Sequence, residues 1–124
     1  MDKKQFILDT LLPYKENPSL CAVNDKGKCV YLTKDGRKCA IGKHMKVGAW
    51  QKCVGDILDL TETYVLDDIL KANAVKVGLA NTDWYYMQQY HDKLATDKGV
   101  DNVNRALRNF EIHLGFKLPE LYIN

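Results

Sequence analysis

Two groups of side chains in this chain have the types and spacing to do chemistry. The first is Cys39, which lies in the run C-V-Y-L-T-K-D-G-R-K-C-A-I-G from Cys29 to Gly42, with Arg37, Lys38, Lys43 and His44 close by in sequence. Positive neighbours favour a thiolate, and a thiolate is the nucleophilic form of cysteine. The second is Gln88, His91 and Asp92 in M-Q-Q-Y-H-D. There an imidazole could serve as base while a carboxylate or amide orients it, as nucleophilic catalysis requires. Cys39 as nucleophile, His91 as base and Asp92 as orienting group form one candidate site. The competing expectation is a small buried thiol and a hydrogen-bonded histidine at the edge of a core, both inert.

A binding surface is the other reading of the same stretch. From Met1 to Cys53 there are eleven Lys or Arg against five Asp or Glu, and the remainder reverses the balance, seven against eleven. Between Lys26 and Lys52 stand eight basic residues and a single acid, Asp35. Such a patch draws anions, whether phosphates, nucleic acid or an acidic protein surface. Tyr31, Lys34, Arg37, Lys38, Lys43, His44 and Gln88 are its candidate contacts with a ligand or partner. Tyr31, Trp50, Trp84, Tyr85 and Tyr86 have faces on which bases could stack, but no nucleic-acid-binding motif accompanies them. The four cysteines are spaced C-x7-C, C-x9-C and C-x13-C, without the short knuckle that presents two zinc ligands from one turn. No metal and no cofactor is expected, and phosphate-loop and dinucleotide fingerprints are absent.

The elements that would position these groups follow from pattern. With 124 residues, 46% hydrophobic and 27% charged, the chain reads as one ordinary globular domain over residues 1–124. It has no apolar run long enough for a membrane span and no signal-like start, so a cytoplasmic location with reduced thiols is expected. Asp35-Gly36 between two short apolar runs predicts a β-hairpin, joined by a strand at Leu20 to Val23 into a three-stranded meander. A two-residue turn sets Leu32 opposite Cys39; a three-residue loop with Gly36 in the left-handed position sets Tyr31 there instead.

Around this unit four to five helices are expected. Asp2 caps the first, with Gln5 completing a capping box, and Pro13 stops it. Helical spacing recurs at Trp50 to Leu58, and Thr61 opens a short helix through Leu70. A helix from Asp83 to about Ala95, capped by Asn81 or Thr82, carries Met87, Tyr90 and Leu94 on its core face. The last helix, capped by Asp101, holds Val103, Ala106, Leu107, Phe110 and Leu114 and ends at Gly115. The expected class is therefore α+β, with the hairpin packed against the helices.

The two marked stretches also carry a resemblance. C-V-Y-L-T-K-D-G-R-K-C-A-I-G resembles the hairpin of small phage and prophage proteins of unknown function. In these, a C-x-Y strand, a D-G-R-K-type turn and C-A-(I/V)-G precede a helix patterned L-Q-x-x-H-D. Here Met87 stands at the leucine position, whereas Gln88, His91 and Asp92 match. After C-A-I-G the family usually runs apolar and acidic, while this chain continues with the basic K-H-M-K-V. The resemblance implies a phage-like origin and marks the surroundings of Cys39 and His91. Together these readings favour a small binding protein that engages a host protein or an anionic small ligand through a basic hairpin surface, with the cysteine-dependent enzyme as the alternative.

Overall fold

The computed structural model describes residues 2–27, 30–46, 70–71, 76–96 and 99–124. Three α-helices dominate them: α1 (Lys3–Glu16), α2 (Asn81–Thr96) and α3 (Val100–Leu114). Short 3-10 turns follow at Pro18–Leu20, Gly42–His44 and Pro119–Leu121. Among the described residues there is no helix long and apolar enough to cross a membrane. The helices expected around Trp50 to Leu58 and from Thr61, together with Cys29 and Cys53, lie outside the described residues.

The α+β expectation is corrected by this structure: the described part is helical, with no strand, sheet or β-hairpin. The cause lies in the second apolar run. Cys39 to Ile41 does not extend; the Cys39 carbonyl accepts the Lys43 amide at 3.1 Å, and the chain tightens into a 3-10 turn. Only Lys38 and Cys39 remain to pair backwards, too little for a ladder. They make one isolated antiparallel bridge, Leu32 with Lys38, flanked by bonds from Thr33 N to Arg37 O and from Cys39 N to Tyr31 O. Tyr31 therefore stands opposite Cys39, and Gly36 takes a φ of 91° inside a three-residue loop. The expected strand at Leu20 to Val23 is replaced by a 3-10 turn and an extended link.

Helix α1 begins as expected, with the Asp2 carboxylate accepting the Gln5 amide at 2.7 Å. The box is not completed, because the Gln5 side chain donates to Asp9 instead, one turn on. Nor does Pro13 stop the helix. It sits inside the last turn, and Asn17 N closes on its carbonyl at 3.0 Å. Its missing N–H forfeits one backbone bond. The extra turn buries the Tyr14 ring, which outweighs that loss.

Helices α2 and α3 form the most extensive helix contact. Asn81 and Thr82 belong to the first turn of α2 rather than capping it; Asp83 supplies the cap-like bond by accepting the Ala80 amide at 2.8 Å. The buried stripe of α2 is wider than its period alone predicts, adding Trp84 and His91 to Met87, Tyr90 and Leu94. In α3, Gly99 rather than Asp101 occupies the N-cap, and Gly115 ends the helix in the left-handed region. Beyond it the tail folds back and is fastened. Glu111 accepts from Leu118 N and the Tyr122 hydroxyl, Asn104 exchanges two bonds with Ile123, and Tyr90 donates to the Leu121 carbonyl.

Candidate functional site

Tyr14 is the pivot between the two stretches that the sequence marks. Its hydroxyl donates to the Lys38 carbonyl, and its ring meets the edge of His91 with centroids 4.8 Å apart. Burial, reinforced by the Cys39 and Cys21 thiols, raises the Tyr14 hydroxyl well above the phenolic range, so it stays a donor. No sequence signal singled Tyr14 out, since it follows a proline that reads as a helix end.

Cys39 and His91 thus enter the same core, but neither opens to solvent; each is 0% exposed. The Cys39 sulfur accepts the Gly42 amide at 3.2 Å. Burial pushes its thiol up to about 12, overriding the backbone donors that favour the thiolate, and the Asp92 charge adds to the rise. The basic neighbours do not rescue it. Arg37 is turned to Cys21, Val23 and Asp35, and Lys43 to Thr10 and Tyr14. Cys21, not singled out from sequence, is a second buried free thiol, likewise pushed up to about 12 by burial and then by Asp92.

The base position is occupied as well. The Ala22 amide donates to His91 Nε2 at 3.2 Å, so Nδ1 carries the ring proton and gives it to Asp92 at 2.8 Å. Gln88 donates to the same Asp92 oxygen at 2.6 Å. The Cys21 thiol donates to the His91 carbonyl at 3.7 Å. Each nitrogen of the imidazole therefore has a structural partner. His91, Asp92 and Gln88 lock the 21–23 link onto α2, which is what a buried hydrogen-bonded group does when it sets a loop.

The remaining candidates separate into anchored and exposed groups. Arg37 is an anchor: its Nε donates to both Asp35 oxygens at 3.1 Å, one terminal nitrogen to the Cys21 carbonyl at 3.0 Å, and the other to the Val23 carbonyl at 2.9 Å. The Thr33 hydroxyl also donates to Asp35, and these two donors hold the Asp35 carboxyl below the usual range. Lys43 is half-buried, donating to the Thr10 carbonyl at 2.8 Å with its ammonium 4.5 Å from the Tyr14 ring centre; burial lowers its affinity for a proton. His44 lies between Phe6 and Trp84, with Nε2 2.8 Å from the Thr10 hydroxyl. Burial, then the charges of Lys43 and Lys71, bring it down to about 4. Tyr31 and Lys38 are half-buried, and Lys34 is exposed.

Between the two loops that Arg37 ties together lies a cavity of about 350 Å³, lined by Val23 to Lys26, Thr33 to Asp35, and Arg37. Lys26 is exposed on one wall and Lys34 on the other. Asn24, Asp25 and Lys26 were not among the expected contacts, although the turn-like Asn24-Asp25-Lys26-Gly27 was the available signal. A guanidinium has five N–H groups, and among the described residues Arg37 donates three of them. Among the described residues no group of three His, Cys, Asp or Glu side chains could hold a metal ion. Comparison with protein families, with curated proteins and with solved structures returns no match.

Proposed function

We propose that this chain is a non-catalytic, phage-derived cytoplasmic binding protein. Its loop face, carrying Lys26, Lys34 and Arg37, engages an acidic host protein surface or an anionic small ligand. The observation that carries the reading is the cleft between the 23–26 and 33–37 loops, whose two walls are fastened to each other by one arginine. A binding surface already held in shape gives up little conformational freedom on association. Asp35 is internally balanced by Arg37, and the exposed Lys26 and Lys34 stand against the single remaining acid, Asp25, so the cavity lining has three cations to two carboxylates and a net positive charge. Exposed charges of this kind steer an acidic partner and raise its on-rate. The phage-like resemblance of the Cys29–Gly42 stretch supplies the expectation of a host partner. The cysteine-enzyme alternative has less support, because the Cys39 thiol is buried with its proton held and His91 has no nitrogen to spare.

The test is capture of partners from a bacterial lysate, identified by mass spectrometry. Lys26→Glu with Lys34→Glu should abolish the capture seen with the wild-type protein while circular dichroism and melting temperature stay unchanged. Arg37 is left in place because its loss would loosen the loops themselves. Capture that survives both reversals refutes the reading.

A further inference from the structure

A second cavity, of about 190 Å³, lies between α2 and α3 and shares no residue with the loop-face cavity. From α2 it is lined by Tyr85, Tyr86, Gln89 and Lys93; from α3 by Asn102, Arg105, Ala106 and Asn109. Both charged side chains in that lining are cations, although this half of the chain carries an excess of acids. The α3 residues recur at i, i+3, i+4 and i+7, so they form one stripe, and Ile112 continues it at i+10. Ile112 is a large apolar side chain that is 80% exposed, the most exposed of the large hydrophobics among the described residues.

We infer that this groove docks an acidic peptide segment of a partner protein, seating a carboxylate side chain between Lys93 and Arg105 and an apolar side chain on Ile112. Charge complementarity selects the acid, and the amides of Gln89 and Asn109 line the same groove. The volume fits one side chain and falls below the several hundred Å³ of a small-molecule pocket. Arg105 and Ile112, seven residues apart on α3, are separated by about 10 Å along the helix axis, a span that an extended peptide covers in three or four residues. A single-stranded nucleic acid is the poorer fit: its backbone needs a track of cations, and two flank this groove. The α2 wall is held in place from behind, because Tyr86 stacks on Phe110 at 5.7 Å and against His113 at 5.0 Å.

The probe is the peptide acetyl-Leu-Glu-Asp-Leu-Glu-Asp-amide, titrated into isotopically labelled full-length protein and followed by amide chemical shifts. Its counterpart with Gln and Asn for the acids, and an oligothymidylate, are titrated separately. Saturable shifts in 85–93 and 102–112, at least tenfold weaker for the neutral peptide, are the expected result. Arg105→Glu should weaken the acidic peptide at least tenfold. Ala106→Leu, which fills the groove without altering charge, should do the same, and Lys26→Glu with Lys34→Glu should leave it unaffected. Shifts only outside these two segments, no saturation at millimolar peptide, equal binding of the neutral peptide, or a response of these amides to the oligothymidylate alone would each overturn the proposal. Because the loop-face variants serve as the control, failure here leaves the loop-face reading to its own test.

Discussion

Acid should unfold this protein partly through His44, and the size of the effect follows from its surroundings. The Thr10 hydroxyl gives its proton to the Phe6 carbonyl, so His44 Nε2–H donates into the Thr10 oxygen. That bond survives protonation of the other ring nitrogen and does not oppose it. Burial between Phe6 and Trp84 opposes it, as do the ammonium groups of Lys43 and Lys71; together they lower the imidazole from about 6.5 to about 4. A histidine held low in the folded state makes its full contribution above its unfolded value, and that contribution drains away as pH falls from 6.5 towards 4. Two and a half pH units at about 1.4 kcal/mol each give a loss of roughly 3 kcal/mol. Carboxylates titrate in the same window, so the measurement is a difference. Urea unfolding of wild type and His44→Gln is followed at intervals from pH 7.5 to 4, the glutamine amide keeping a donor for Thr10. Wild type should lose roughly 3 kcal/mol more than the variant over that range. Parallel pH profiles for the two proteins would refute the reasoning.

Three further outcomes follow from the buried groups. With its thiol near 12, Cys39 is thiolate in fewer than about one molecule in ten thousand at pH 7.5. Iodoacetamide should therefore modify Cys39 in the native protein at least a thousandfold more slowly than free cysteine and at the normal rate in urea, mass spectrometry locating the adduct; fast native labelling would revive the nucleophile. His91→Phe keeps a ring against Tyr14 but strands the buried Ala22 amide, at a cost of about 2 kcal/mol in urea unfolding. A change under about 0.5 kcal/mol would mean that the amide finds another acceptor. At Gly42 an added Cβ would stand 2.1 Å from the Tyr31 carbonyl oxygen and 3.0 Å from its carbon, both backbone atoms. Gly42→Ala should cost about 2 kcal/mol or more by thermal melt, whereas Gly27→Ala, with open space around it, should cost only its left-handed strain of about 1 kcal/mol.

What the sequence by itself determined is local and periodic. Val103, Leu107 and Phe110 of α3 with its glycine stop, the Asp2 cap of α1 and the core positions Met87, Tyr90 and Leu94 rest on interactions within a turn or two, which pattern reports directly. The left-handed Gly36 belongs with them. Ala106 and Leu114, expected in the same α3 stripe, stay only half-buried. Whether Pro13 ends its helix, whether Cys39 to Ile41 extends, and which way Arg37 points were decided by partners far along the chain. Tyr14 gains burial against α2, the Gly42 backbone crosses Tyr31, and the guanidinium reaches the carbonyls of residues 21 and 23. The fate of the candidate site was decided the same way. Residue types and spacing allowed Cys39 and His91 to be reactive, but reactivity depends on solvent and on free lone pairs, and only packing settles both. Tertiary structure buried the Cys39 thiol away from water and gave the His91 imidazole nitrogen to the Ala22 amide.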